Sequence, residues 1–177
     1  RSPQKILRLV LAEAVRITKA SSGSLILMNP NTGLLDIEAA VGLSKKAQQI
    51  KLKPGEGVTG WVAQRGQALR VPDVTADSRY VTARKSARSE LAVPLEIENR
   101  IMGVLNVDSD RVNAFSEADE ELLIALALLL LCPAAPALAA EGASTAAARS
   151  VSRHERSVAE VADGVYVILH RDGPDTN

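Results

Sequence analysis

The chain has 177 residues, 46% of them hydrophobic, with 21 basic and 21 acidic side chains and a formal net charge of zero. That length holds one domain of about 100–150 residues plus an extension, and the apolar fraction is enough to build a core. Charge balance speaks against a nucleic-acid partner, whose nonspecific affinity comes from cations displacing counterions, and the few aromatics (Trp61, Tyr80, Phe115, Tyr166) make no base-stacking platform. Cys132 is the sole cysteine, so no internal disulfide or thiol-rich metal site can form, and a reducing, cytoplasmic setting is expected. The chain opens Arg1-Ser2-Pro3 without a start methionine, which points to a piece of something longer.

In chain order, Pro3–Lys19 is predicted as a helix. Pro3 suits a first turn, and Ile6, Leu7, Val10, Leu11, Ala14, Val15 and Ile17 recur at spacings of three and four. Ser21-Ser22-Gly23 is read as its stop. Ser24–Met28 and Leu34–Val41 read as strands joined by the turn residues Asn29-Pro30-Asn31-Thr32-Gly33. A short helix over Ser44–Gln49, capped by Ser44, precedes an edge-like strand, Ile50–Lys53, which Pro54 ends. Val58–Gln64 reads as a short helix, Leu69–Val71 as a brief strand, and Pro72–Lys85 as a polar excursion with room for one helical turn.

Ser89–Ile97 and Arg100–Asp108 form the clearest hairpin, turning at Glu98-Asn99, where Asn tolerates a positive φ. Both strands are apolar at nearly every position, which predicts cover on both faces of the sheet. Ser116–Leu131 is a long helix; Ser116 with Asp119 resembles a capping box, and Glu117, Asp119, Glu120 and Glu121 complement the positive end of the helix dipole.

A compositional break follows. Every lysine lies at or before Lys85, and from Cys132 onward the chain is rich in Ala, Pro and Arg. Residues 3–131 are therefore expected to form the domain. Residues 132–177 are a tail of uncertain structure: a linker, a disordered end, a membrane segment, or sequence read out of frame. The uncharged stretch Leu122–Ala140 has nearly the length of a membrane span, but Pro133 and Pro136 interrupt it and it continues an acidic helix start, so no membrane span is expected.

Several catalytic patterns are matched only in form. Gly55-Glu56-Gly57-Val58-Thr59-Gly60 fits G-x-G-x-x-G, yet the strand before it carries Lys51 and Lys53 and ends in Pro54, so the glycines are read as a tight entry into a helix. His170-Arg171-Asp172 with Asn177 mimics a kinase catalytic loop, but no strand lysine lies between the two motifs and no D-F-G follows. Cys132, His154 and His170 match no zinc spacing. Asp108-Ser109-Asp110 begins like a calcium loop, but Val112 stands at a ligand position and no glycine at the sixth.

The run Pro54-Gly55-Glu56-Gly57-Val58-Thr59-Gly60-Trp61-Val62-Ala63 is followed in order by Ser89-Glu90-Leu91-Ala92-Val93-Pro94-Leu95, Gly103-Val104-Leu105-Asn106-Val107-Asp108 and Phe115-Ser116-Glu117-Ala118-Asp119-Glu120. With the opening and closing helices, these segments make residues 3–131 resemble a GAF domain. The resemblance implies an α+β fold: a central antiparallel sheet of about six strands, the N- and C-terminal helices on one face, and a small-molecule pocket on the other. It also implies a cytoplasmic sensor that regulates an effector domain and dimerises through its terminal helices. Phe115, Asp119 and Glu120 match half of the cyclic-nucleotide motif, but Asp108-Ser109 stands where Asn-Lys is expected. No cysteine for a bilin and no histidine for a haem falls inside the domain, so no cofactor is expected.

The local likeness extends to the free methionine-(R)-sulfoxide reductases. By position Glu90 and Asp108 are kept, Asn106 replaces an acid, and the catalytic cysteine falls at Ala83. Sulfoxide reduction runs through a thiolate, so no enzymatic activity is expected, though the pocket can persist. Glu90, Asn106 and Asp108 interrupt apolar strands, where a buried carboxylate is costly unless paired. Either they are strand-end groups, wet or paired with Arg84, Arg88 or Arg100, or they recognise an unknown polar ligand together with Arg88, between walls made by Trp61 and Tyr80. Two functions follow: a ligand sensor, or a structural dimerisation module with an empty pocket.

Overall fold

The computed structural model describes residues 3–131, 156–162 and 165–170. Helix α1 (Pro3–Ile17) leads into strands β1 (Ser22–Met28), β2 (Leu35–Val41) and β3 (Lys51–Leu52), with a 3-10 turn at Ala47–Gln49 between the last two. Helix α2 (Gly57–Arg65), strands β4 (Leu69–Val71), β5 (Ser89–Ile97) and β6 (Arg100–Ser109), and helix α3 (Glu117–Leu131) follow. The six strands make one sheet in the order β3-β2-β1-β6-β5-β4, and every neighbouring pair is antiparallel. The α+β fold class and the six-strand sheet expected from the sequence are what the structure shows.

Period-two alternation on the long hairpin sorts its side chains between two layers. Leu91, Val93 and Leu95 of β5 and Leu105 and Val107 of β6 pack with Leu7, Leu11 and Ala14 of α1 and Leu123, Ala127 and Leu130 of α3. Ala92 and Val104 point the other way, into a second cluster with Ile26, Leu35, and Val58, Val62 and Ala63 of α2. Val93 and Val104 are both fully buried, one in each layer, so both faces of the central ribbon are covered.

Local chemistry accounts for the ends of these elements. Helix α1 ends where Lys19 takes a positive φ of 53° and the Thr18 hydroxyl donates 2.7 Å to the Ala14 carbonyl. The stop therefore falls before Ser21-Ser22-Gly23, and β1 begins at Ser22 rather than Ser24, because Ser22 and Gly23 pair with Asp108 and Val107 of β6. Glu98 and Asn99 both have positive φ (48° and 63°), as a tight hairpin turn requires. The Ser116–Asp119 capping box closes in both directions: the Ser116 amide donates 2.8 Å to Asp119 Oδ2, and the Asp119 amide donates 3.2 Å to Ser116 Oγ. The segment between β4 and β5 forms no regular helix but a series of hydrogen-bonded turns, among them those closed by the Ala76 and Asp77 amides on the Asp73 and Val74 carbonyls at 3.2 and 3.4 Å, and it is tied by the Val74 amide to the Arg88 carbonyl at 2.8 Å.

Strands β7 (Arg156–Ala162) and β8 (Val165–His170) pair antiparallel as a separate two-stranded sheet. They lie within the tail whose structure composition leaves open; the run Val165-Tyr166-Val167-Ile168-Leu169 has the β-branched and aromatic character that strands favour. Cys132, His154, Asn177 and most of the predicted tail lie outside the described residues. Among the described residues, no helix is long and apolar enough to cross a membrane.

The entry to α2 is tight for a steric reason. A Cβ on Gly60 would lie 2.5 Å from the Lys53 carbonyl oxygen, and the Gly55 amide already donates 2.7 Å to the Gly60 carbonyl. Backbone cannot move aside as a flexible side chain can. Gly60→Ala should lower the unfolding free energy by about 1–3 kcal/mol, read as a lower urea midpoint with an unchanged m-value.

Candidate functional site

The face of the sheet away from α1 and α3 carries a small cleft with a cavity volume of about 50 Å³, open in part to solvent. Strands β1, β2 and β3 give it Ile26, Leu35, Ile37 and Leu52; the loop between β2 and β3 adds Leu43 and Ile50; the segment between β4 and β5 adds Val81 and Ala83. Its polar end is made by Ser24 of β1, Thr59 of α2, and Asn106 and Asp108 of β6. An apolar cavity with a few convergent polar groups is the usual form of a small-molecule site.

Alternation explains why those polar groups converge. Ser24 stands opposite Asn106, Glu90 stands opposite Asp108, and all four residues fall on the side of the sheet opposite to Leu25, Leu91, Leu105 and Val107. The Asn106 amide nitrogen donates 2.9 Å to Glu90 Oε1, while Asn106 Oδ1 accepts a hydrogen bond from the Ser24 hydroxyl. Asn106 is thus held at both ends. Beside this row, the Ser22 hydroxyl is buried with no hydrogen-bond partner among the described residues.

Glu90 is only 5% exposed, and burial pushes its carboxyl up to about 8, against the Asn106 hydrogen bond that favours the ionised form. The negative charges of Asp108 and Asp77 push in the same direction as burial. Glu90 is consequently a neutral acid at neutral pH. Asp108 is treated differently: Arg84 donates from Nε to its Oδ1 at 3.0 Å and pairs with it through Nη2 as well. Arg84 Nη1 also pairs with Asp110 and donates 2.6 Å to the Ser86 hydroxyl, and it holds the Asp110 carboxyl below its usual range.

The six residues singled out in the sequence are therefore distributed unevenly. Asn106 and Asp108 line the cleft, and Glu90 sits behind Asn106, one hydrogen bond away. Tyr80 is half-buried, its hydroxyl 3.4 Å from the Arg84 carbonyl that accepts from it, and burial with the nearby Glu90 pushes its phenol up to about 12. Trp61 packs into the α2-side cluster under the Arg79 guanidinium, 5.2 Å from the ring centroid. Arg88 points to solvent and pairs with Asp73 at 3.3 Å. The cleft's walls are aliphatic, from Ile26, Leu35, Ile37, Leu43, Ile50, Leu52 and Val81. Ser24 and Thr59 were not foreseen; Ser24 was legible as the residue two before Ile26 on the same face of β1, whereas nothing local marks Thr59.

The raised Glu90 carboxyl makes stability depend on pH. Between about 4.5, where a free glutamate titrates, and about 8, the folded state holds a proton that the unfolded chain has released. Stability therefore falls as pH rises through that window, by a few kcal/mol in order of magnitude, and levels off above it. Glu90→Gln keeps the shape of the neutral acid and an acceptor for Asn106. Urea denaturation at pH 5, 6.5 and 8 should show the fall in the parent chain and a flatter profile in the variant.

A family model described as a GAF domain matches residues 1–130. GAF domain-containing protein A of Dictyostelium discoideum is 38% identical over 80 residues, 45% of this chain and 51% of that protein. The free methionine-R-sulfoxide reductase of Escherichia coli is 32% identical over 72 residues, 41% of this chain and 44% of the enzyme. The chain thus spans about half the length of the curated relatives it matches. Among solved structures, the free methionine-R-sulfoxide reductase of Neisseria meningitidis, in complex with its substrate, superposes with a TM-score of 0.62 at 26% identity, over 68% of this chain and 71% of that one. The GAF domain of a phosphoenolpyruvate-protein phosphotransferase from Coxiella burnetii shares the fold with a TM-score of 0.64 at 23% identity, over 72% and 80%. With its six-strand antiparallel sheet backed by the terminal helices and the family match running through the whole of it, the chain belongs to the GAF-domain family.

Proposed function

We propose that the domain is a small-molecule-sensing regulatory module of a bacterial-type signal-transduction protein, holding its ligand in the cleft on the sheet face opposite α1 and α3. One observation carries this reading: the aliphatic lining is joined by a polar row, Ser24, Asn106 and Asp108, and by Thr59 of α2. A fold supports many chemistries, so the ligand has to be argued from the site.

The relatives named as free methionine-R-sulfoxide reductases raise the question of catalysis. Reduction of a sulfoxide by a thiol begins with a thiolate at the sulfur, and the position in the cleft wall where the resemblance puts that group carries the methyl of Ala83. The sole cysteine, Cys132, lies outside the described residues. The domain is thus read as a binding module rather than an enzyme. With dithiothreitol as reductant, the purified chain should not consume free methionine-R-sulfoxide. A thermal-shift screen of small neutral molecules, amino acids, 2-oxo acids and cyclic nucleotides should yield at least one class that raises Tm; no rise with any class would overturn the sensing role.

A second reading, a dimerisation module with an empty cleft, is favoured by Leu9 on α1 and Leu122 and Leu128 on α3, which are 51%, 43% and 60% exposed. Apolar side chains on both terminal helices suit pairing with a second copy, and sensing and pairing are compatible. If the helices form that interface, Leu128→Glu should shift the sedimentation coefficient from a dimer to a folded monomer, since Leu128 is not part of the core.

A further inference from the structure

The charge of the cleft is set from behind its wall. Asp108 is the one ionisable residue among those lining it, and none of the lining residues is cationic. The Asp108 side chain is only 10% exposed, and its carboxylate is met by Arg84, which belongs to the segment between β4 and β5 and does not itself line the cleft. Arg84 is anchored at a second point by Asp110 and Ser86, so its guanidinium is held against Asp108 by three partners. The residue before it, Ala83, forms part of the cleft wall. Glu90, the nearest other carboxyl, hydrogen-bonds Asn106 and is kept neutral by its burial. The polar end of the cleft therefore presents hydrogen-bonding groups and one carboxylate that is already ion-paired, while the exposed Asp110 meets the same guanidinium from the solvent side.

We propose that Arg84 is the residue that determines charge selectivity in this cleft: by neutralising Asp108 it restricts the site to uncharged small molecules with an aliphatic part and a hydrogen-bonding end. A cationic head would have to compete with a tethered guanidinium, whose effective concentration beside Asp108 no free amine reaches. An anionic head would meet the Asp108 carboxylate across a low-dielectric cavity with no cation in the lining to receive it. An uncharged alcohol or amide can donate to Asp108 and accept from the Thr59 hydroxyl without disturbing the ion pair. Removing the positive charge of Arg84 leaves Asp108 as an uncompensated carboxylate at the end of an aliphatic cavity, which is the arrangement that binds alkylammonium ions.

This inference rests on the cleft being a ligand site, and the test separates the two. The parent chain, Arg84→Gln, Arg84→Lys and the surface control Lys85→Gln are each titrated by calorimetry with n-butylamine, butyramide and sodium butyrate at pH 7. Butyramide should bind the parent more tightly than either charged probe. In Arg84→Gln the n-butylamine affinity should rise by about tenfold or more, because an unpaired buried carboxylate gains a counter-charge. Arg84→Lys should restore exclusion of the amine, and Lys85→Gln should behave as the parent. A mere loss of folding strength would not produce this dependence on probe charge, and the Lys variant keeps the assignment testable if Arg84→Gln is unstable. Butylamine binding equally to the parent and to Arg84→Gln, or a Lys variant that admits it, would overturn the role of Arg84 even if butyramide binds. Absence of butyramide binding to the parent would overturn the uncharged-ligand assignment, while a gain of amine binding in Arg84→Gln would still establish the control of charge by that residue.

Discussion

The pairing of β5 with β6 is the constraint from which the site follows. Its register sets Glu90 opposite Asp108 and Ala92 opposite Asn106, and the pleat sends Leu91, Val93, Leu105 and Val107 to the helix side. A slip of one residue would turn the polar row into the layer under α1 and α3 and bring the leucines into the cleft. The Glu98-Asn99 turn, with two consecutive positive φ values, fixes the register at one end. The apolar demand of the helix layer fixes it along the remaining length. The polar row on the cleft side is thus a by-product of the register of one hairpin.

The polar row is tolerated on that ribbon because each member is satisfied differently. Asn106 accepts from Ser24 and donates to Glu90, Glu90 avoids the cost of a buried charge by staying protonated, and Asp108 is ion-paired with Arg84. Two carboxyls directly opposite each other on neighbouring strands could not both remain ionised without a cation at hand. The chain resolves this by supplying a single cation, to the one nearer the surface segment. That segment, Pro72 to Arg88, has little regular structure, and its contribution to the site is one wall and one charge.

The two layers around the sheet divide the work. The α1–α3 side is a closed hydrocarbon core, with Leu11, Leu91, Val93, Leu105 and Leu123 fully buried. The α2 side is thinner: its helix is short, entered through glycines, and covers only part of the sheet, which leaves the β1–β2–β3 end free to line a cleft. The close approach of Gly60 to the Lys53 carbonyl holds α2 in that restricted place. A longer helix there would fill the cavity.

Much of this was legible in the chain itself. The doubly apolar strands 89–97 and 100–108, the asparagine turn, the Ser116–Asp119 box and the period of α1 each specify a local structure with its own physical cause, and together they identify an antiparallel sheet covered on both faces and flanked in sequence by terminal helices. Glu90, Asn106 and Asp108 stood out because polar groups in such strands need a reason. What tertiary structure alone decided is which partners they found. Arg84, Arg88 and Arg100 were equal candidates by sequence, and long side chains on an irregular segment carry no periodicity that says where they point. The fold brought Arg84 to Asp108 and left Arg88 outside with Asp73. In the same way Trp61 and Tyr80 went to the packed layer, and aliphatic residues from four separate stretches made the cleft, because a cavity is a property of how elements meet, which no single stretch of sequence contains.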